Sequence, residues 1–498
     1  MAITDPNRRQ LLAMLAAVAT VPLLSAGPAA ADTPRRNILI LMTDQERAHV
    51  VLPAGFALPA RSALAERGVF FGAHHTPTAP CSPARSTIFT GLHAPVTGVI
   101  DNVGNSEYTS PQLTGGLGSP SLDTAVPTLG TLLRQAGYHT AYIGKWHLSD
   151  PVGTTPDALS AYGFDEAIDI LGGGSPDEGL HNDPGVADRA VAWLDRHRDD
   201  RQPWLCVVSF VNPHDMMFCP RFYRLADVPD HGAEVPVNFE SDLSGKPRVQ
   251  SLWRVENQAV GGPMPTDLAS AEAKTQWRQW GNWYLELLRN TDDLMARVLT
   301  ALDDSGRRTD TVVAQLADHG EMGGAHGLRQ KGAMIYRENL NVPLVISDPD
   351  RPAGHGSTVD TPTSHIDLVP TLAALAGIDA TGLTRTHGID LTPLLTPSGT
   401  ATARDAILVT SDAKSSGGLP GVEYCLRGAI TDQYSFARYS TAEHLGGPDS
   451  DRVYELYDRR NDPYELNDLA RQPGSAALIG HFNSLVDELA ARQLDATG

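Results

Sequence analysis

The stretch NILILMTDQ at residues 37–45 is the clearest guide to the fold of this 498-residue chain. Its first part is almost continuously apolar, which is typical of a β-strand covered by helices on both faces. The runs at 140–143, 205–211 and 311–317 repeat this pattern, and helical stretches alternate with them. The alternation predicts an α/β domain with a mainly parallel sheet flanked by helices.

Polar side chains follow each of the four apolar runs. Parallel strands place their carboxyl ends at one edge of a sheet, where the ligand crevices of open α/β folds lie. The residues concerned are Asp44-Gln45, Lys145-Trp146-His147, Asn212-Pro213-His214 and Asp318-His319. We therefore expect these side chains to converge in space.

The rest of the chain suggests a second, smaller domain. Residues 275–302 have the apolar period of a long amphipathic helix, whereas 230–266 is rich in Gly and Pro and is interpreted as a long surface loop. From about residue 400 the pattern changes to strands at 406–410, 424–430 and 434–439 and a closing helix at 476–492. The predicted domains are a large one at 35–399 and a C-terminal α+β subdomain with an antiparallel sheet at 400–498.

The first 31 residues have the pattern of an export signal. Arg8-Arg9 precedes an apolar stretch that ends near Leu24, and small residues at 29–31 suit a cleavage site. We interpret residues 1–31 as a twin-arginine signal, with the general secretory route as an alternative. An anchoring helix is the third interpretation, disfavoured because Pro22 interrupts a short apolar run. The expected location is periplasmic, cell-envelope or secreted.

Composition excludes some classes of partner. The formal net charge of -20 repels polyanions and gives no electrostatic footprint for nucleic acid. An anionic substrate must therefore be held by a local cluster of cations. The chain has four cysteines, Cys81, Cys206, Cys219 and Cys425, too few for a disulfide scaffold although one bridge remains open. The sequence does not indicate an oligomeric state.

The most specific motif is Cys81-Ser82-Pro83-Ala84-Arg85, continued by Thr90-Gly91. Pro83 suits the first turn of a helix, so Cys81 is expected at a helix N-terminus, where unpaired N–H groups favour negative charge. Arg85 lies one turn further on and can present a planar cation to an oxyanion. From the residues alone, Cys81 is a candidate thiol of lowered pKa.

This motif resembles the signature of the sulfatases, which belong to the alkaline phosphatase-like superfamily. The resemblance implies that a formylglycine-generating enzyme oxidises Cys81 to formylglycine (3-oxoalanine), whose hydrated aldehyde attacks sulfur. It also implies an alkaline phosphatase-like fold. The similarity extends to the C-terminal Glu455-Leu456-Tyr457-Asp458 with Asp462-Pro463.

The resemblance also implies a metal site. Asp44, Gln45, Asp318 and His319 match the family's metal-binding positions, and residue 81 would complete the set. Hard oxygen ligands suit Ca²⁺, which we expect, or Mg²⁺ as an alternative, and the histidine leaves Mn²⁺ open as well.

The remaining roles concern a small-molecule sulfate ester. By resemblance, Lys145 and Lys331 bind sulfate oxygens, and Arg85 holds the hydrate. His147 handles the second hydroxyl of the hydrate, and His214 is the general acid for the leaving oxygen. Asn102 resembles a substrate-side asparagine of the choline-sulfatase-like branch.

Two departures keep the substrate class open. The chain has Thr43-Asp44 where many sulfatases have two aspartates, and Asp318-His319 where they often have Asp-Asn. Both departures resemble the branch of choline sulfatases and phosphonate monoester hydrolases. A phosphonate or phosphate ester hydrolase with the same nucleophile is therefore the first alternative, and a non-catalytic anion-binding protein is the second.

Overall fold

The computed structural model describes residues 35–103, 119–149, 155–378, 386–397, 399–400, 404–412, 425–440 and 452–494. The strands are β1 (Asn37–Asp44), β2 (Val69–Phe71), β3 (His74–His75), β4 (His139–Lys145), β5 (Glu166–Leu171), β6 (Trp204–Pro213), β7 (Thr311–Ala317), β8 (Leu344–Ser347), β9 (Ser357–Val359), β10 (Thr363–Ser364), β11 (Ile407–Ser411), β12 (Cys425–Ile430), β13 (Tyr434–Ser440) and β14 (Val453–Asp458). The α-helices are α1 (Pro59–Glu66), α2 (Cys81–Thr90), α3 (Ala94–Thr97), α4 (Leu129–Gln135), α5 (Glu178–Arg196), α6 (Arg248–Val260), α7 (Ala271–Asp304), α8 (Arg337–Leu340), α9 (Leu368–Leu375) and α10 (Ala476–Gln493). The predicted export signal at 1–31 lies outside the described residues.

Eight strands form the main sheet, in the order β5-β4-β6-β1-β7-β8-β2-β9. The five from β5 to β7 in this order are parallel to their neighbours, whereas β8 is antiparallel to β7 and to β2. The prediction of a mainly parallel sheet is confirmed. All four strands predicted from apolar runs lie side by side in it, as β4, β6, β1 and β7.

The two faces of β1 explain why its apolar residues are continuous. Ile38, Ile40 and Met42 point into a core shared with α2, α4 and α9. Leu39 and Leu41 point into a second core shared with α1, α5 and α7. Because both faces are covered by helices, every position of β1 is buried. Burial of one such side chain contributes about 1.5–3 kcal/mol.

The C-terminal strands form a separate antiparallel sheet in the order β11-β12-β13-β14, as predicted. Helix α10 covers one face, where Phe482 and Val486 are buried. The other face packs on the segment 322–340, and Ile335 and Tyr336 share a core there with Ile407. This core includes residues from both sides of the predicted boundary at 399/400.

The interpretation of residues 230–266 as a loop is wrong for α6. Three of the four buried residues of α6, Gln250, Glu256 and Asn257, are polar, so polar partners elsewhere in the chain help to hold this helix. Gln250 donates to the carboxylate of Glu455 at 2.8 Å, and Asn257 donates to the carbonyl of Arg329 at 2.8 Å. The long helix predicted at 275–302 is confirmed as α7, which begins four residues earlier.

Two further findings concern membrane-spanning helices and the cysteines. Among the helices of the described residues, none is both long and apolar enough to cross a membrane. The four cysteines, all of which the structure describes, are buried, and none of them forms a disulfide.

Candidate active site

Cys81 is the first residue of α2 and is fully buried. Two side chains fix this end of the helix. The N–H of Ser82 donates to Oδ1 of Asn102 at 3.1 Å, and Oγ of Ser82 donates to the carbonyl of His147 at 2.6 Å. The residue that resembles a substrate-side asparagine thus also caps the helix that presents Cys81.

The side chains of Asp44, Asp318 and His319 converge on that of Cys81. Ligand atoms of Asp44, Cys81, Asp318 and His319 all lie within 4.8 Å of one another. The Cys81 sulfur is 3.6 Å from Oδ1 of Asp44 and 3.1 Å from Nε2 of His319. Nδ1 of His319 faces the carbonyl of Gly320 at 3.0 Å, so a proton on Nδ1 leaves the Nε2 lone pair directed at the cluster. Two carboxylates and one imidazole are a donor set that fits a divalent cation.

Two buried cations hold the carboxylates in place. Arg85 donates through Nε to Asp318 at 2.8 Å and through Nη2 to Asp44 at 3.1 Å. Nζ of Lys145 lies 2.7 Å from Oδ2 of Asp44. Burial by itself would raise the pKa of Asp44, but the charges of Lys145, His214, His319 and Arg85 outweigh it and lower this pKa well below 3.8.

The two carboxylates differ in how they titrate. Burial and the neighbouring charge of Asp44 raise the pKa of Asp318. Burial lowers the pKa of His319, but Asp318 and Cys81 outweigh it and raise this pKa to about 9. The raised pKa values of Asp318 and His319 mean that this cluster binds a proton or a metal cation readily.

Gln45 reaches the site through both its backbone and its side chain. Its N–H donates to Oδ1 of Asp318 at 3.1 Å. Its amide oxygen accepts from Nζ of Lys331, and its Nε2 donates to Glu321. The structure thus brings the predicted ligand next to the cluster, with its oxygen directed at Lys331.

The two remaining histidines lie under a glycine segment that sequence reasoning missed. His147 and His214 are buried, and Gly173 and Gly174 lie against their rings. A Cβ on Gly174 would lie 2.5 Å from Cε1 of His214, and one on Gly173 would lie 3.0 Å from Nε2 of His147. The carbonyl of Gly173 accepts from Nζ of Lys145 at 3.4 Å. Only residues without a side chain allow this close approach.

We expect Gly174→Ala to reduce turnover about 10- to 100-fold, because the new methyl group would displace the His214 ring. Gly174 also has a φ of 91°, which adds backbone strain to the substitution. The matched control is Gly185→Ala in α5, where a Cβ meets nothing within 4 Å. The control should keep its kcat and gain about 0.5–1 kcal/mol of stability. Equal kcat values for the two variants would refute the positioning role.

A second group missed by sequence reasoning lies behind Asp318. Nε2 of His365 is 2.9 Å from the carbonyl of Asp318, and Nδ1 of His365 is 3.0 Å from Nε2 of His74. Both rings are fully buried, and burial lowers both pKa values. This pair fixes the backbone that carries the second carboxylate.

Comparison with known proteins identifies the family of this chain. The sulfatase family model matches residues 36–378, and a model of the C-terminal part of N-sulphoglucosamine sulphohydrolase matches residues 324–492. The chain is 32% identical to the uncharacterized sulfatase YidJ of Escherichia coli, over 87% of this chain and 83% of the relative. It is 30% identical to a choline-sulfatase of Rhizobium meliloti, over 73% and 72% of the two chains.

A solved structure extends the comparison to phosphonate chemistry. The phosphonate monoester hydrolase of Agrobacterium radiobacter superimposes with a TM-score of 0.71 and 25% identity, over 93% of this chain and 97% of that one. The prediction of a sulfatase with an alkaline phosphatase-like fold is therefore confirmed, and the chain belongs to the sulfatase family.

Proposed function

We propose that this sulfuric ester hydrolase cleaves a sulfate monoester with formylglycine at position 81 and one divalent cation. The observation that carries the proposal is the convergence of Cys81 with Asp44, Asp318 and His319 at the start of a helix. When bound there, the cation would supply positive charge beside residue 81 and lower the pKa of its hydroxyl group. Ca²⁺ is the cation we propose, because carboxylate oxygens predominate.

Several residues of the chain have separate parts in the reaction. Lys145 and Lys331 hold the non-bridging oxygens of the sulfate group, and Arg85 orients the carboxylates that face residue 81. The aldehyde hydrate at residue 81 would supply the hydroxyl oxygen that displaces the alcohol from sulfur. The leaving oxygen takes a proton from His214. His147 would accept the proton of the second hydroxyl as sulfate leaves residue 81.

The negative charge of a bound sulfate ester would raise the pKa of His214. Burial lowers the pKa of His214 well below 6.5, and the charges of Lys145 and Lys331 lower it further. A sulfate ester bound between the two lysines would offset their charge. The pKa of His214 would rise as a result, so substrate binding favours the protonated acid.

We expect His214→Ala to lower kcat about 10²- to 10⁴-fold for an alkyl sulfate such as choline sulfate. The loss should be much smaller for 4-nitrophenyl sulfate, because 4-nitrophenolate leaves without a proton. The measurement is kcat over a series of leaving groups. The control is His181→Ala, an exposed histidine of α5. A loss that is the same for every leaving group would contradict the role as general acid.

Mass spectrometry of the peptide that contains residue 81 tests the nucleophile. Conversion of the cysteine by the formylglycine-generating enzyme lowers the residue mass by about 18 Da. An unconverted thiol in active protein would refute the proposed nucleophile. An unconverted thiol in inactive protein that still binds sulfate would instead favour the anion-binding alternative.

A second candidate is the hydrolysis of phosphonate monoesters, favoured by the similarity to the Agrobacterium radiobacter enzyme. Sulfate and phosphonate monoesters carry the same single charge, so the lysines do not separate them. Parallel assays with an aryl sulfate and a phenyl phosphonate monoester decide the question. Phosphonate turnover that exceeds sulfate turnover by orders of magnitude would overturn the assignment.

We further propose that the leaving alcohol is small and neutral or cationic. The net charge of -20 disfavours sulfated polysaccharides, and one relative is a choline-sulfatase. The test is competition between choline sulfate and a sulfated oligosaccharide. Preferred cleavage of the oligosaccharide would count against a small alcohol.

A further inference from the structure

A second group of side chains that can bind a metal lies at the amino ends of the parallel strands, whereas the active site lies at their carboxyl ends. His139 is the first residue of β4, Glu166 is the first of β5, and His197 follows the last residue of α5. Lys145, at the other end of β4, belongs to the active site. The seven residues of β4 span about 20 Å, so the two sites are separate.

The ligand atoms of this group already face one another. Nε2 of His139 is 2.7 Å from Oε1 of Glu166, and Nε2 of His197 is 3.3 Å from the same oxygen. All three atoms lie within 4.8 Å of one another. We propose that His139, Glu166 and His197 bind a Zn²⁺ ion, since two imidazoles and a carboxylate with an open fourth position are a common zinc ligand set.

The tautomer of His197 is set for metal binding. Nδ1 of His197 lies 2.6 Å from Oδ2 of Asp200, so the Nδ1–H group donates a hydrogen bond to this carboxylate. Nε2 of His197 therefore carries the lone pair, which accepts from Nε of Arg196 and lies beside Glu166. A carboxylate behind a histidine in this way orients the ring and makes it a stronger ligand.

The Trp193 side chain packs against the His197 ring and holds Glu166 in place. Its indole stacks on His197 with the ring centroids 4.2 Å apart, and its Nε1 donates to Oε1 of Glu166 at 3.1 Å. The His139 and His197 rings are also stacked, at 5.1 Å. The three ligands thus need little rearrangement to bind an ion.

Arg196 occupies the outer side of the group. Its Nη2 donates to Oε2 of Glu166 at 2.6 Å, and its Nε donates to Nε2 of His197 at 3.2 Å. The Arg196 side chain is 55% exposed, so it can rotate into solvent when an ion takes its place. Arg196 is a competitor for the site, and its removal should strengthen zinc binding.

The test is zinc binding to the whole chain after saturation with Ca²⁺, measured by isothermal titration and by metal analysis after dialysis. Any zinc that enters the active site adds equally to every variant, so the difference between variants counts. We expect His197→Ala to bind one zinc fewer per chain than wild type. Asp200→Asn should weaken this site about 10- to 100-fold, and Arg196→Ala should strengthen it.

The control is Arg198→Ala, which removes an exposed arginine that pairs with Asp195. It should leave zinc affinity unchanged. Sulfate ester turnover should be the same in all four variants, because none of them touches the active site. Equal zinc counts for wild type and His197→Ala would overturn the proposal. Unchanged affinity in both Asp200→Asn and Arg196→Ala would do so as well.

Discussion

Cys81→Ala should lower sulfate ester turnover by about 10⁴-fold or more, since the substitution removes the precursor of the nucleophile. The loss should appear in kcat, while Lys145, Lys331 and the carboxylates stay in place to bind substrate. The fold should tolerate the change, because only one sulfur atom is removed from a buried position. Turnover of a chromogenic aryl sulfate is the measurement.

The matched control for this prediction is Cys206→Ala. Cys206 is equally buried, but it lies within β6 and touches the second core rather than the site. The control should lose some stability and keep its turnover per folded molecule. Activity of Cys81→Ala within tenfold of the control would exclude residue 81 as the nucleophile.

Arg85→Leu should lower the free energy of unfolding by about 3–5 kcal/mol when a chelator is present. The guanidinium is fully buried and bridges Asp44 and Asp318. Its removal leaves two buried carboxylates facing each other without their shared cation. Denaturant unfolding followed by fluorescence measures the loss.

Two comparisons make the Arg85 prediction specific. Arg189→Leu removes an exposed partner of Asp169 and should cost about 0–1 kcal/mol. Addition of Ca²⁺ should restore part of the stability of Arg85→Leu, because a bound cation offsets the same two carboxylates. A loss below 1 kcal/mol without metal would contradict the conclusion that Arg85 offsets the charges of Asp44 and Asp318.

The sequence predicted the strand ends of the site well, for a physical reason. A parallel strand covered on both faces must be apolar along its length, so polar residues such as Asp44 and Asp318 are conspicuous where it ends. The first residue of α2 was predictable in the same way, since Pro83 suits the first helical turn. These features depend on a few neighbouring residues.

Features that depend on distant partners were not predictable. The α6 helix was missed because Gln250 finds its partner Glu455 about two hundred residues away. The direction of the Gln45 side chain depends on Lys331, and the role of Gly174 depends on His214. Nothing in the local pattern of these residues indicates such contacts.

The core shared by Ile335, Tyr336 and the C-terminal sheet ties Lys331 to the end of the chain. Lys331 lies four residues before Ile335, so the backbone that carries it leads into a core that residues after 400 complete. We expect an enzyme shortened at residue 399 to retain every proposed catalytic side chain but to bind the sulfate group more weakly, because this core would be incomplete. Substrate affinity should thus be sensitive to damage far from the chemistry.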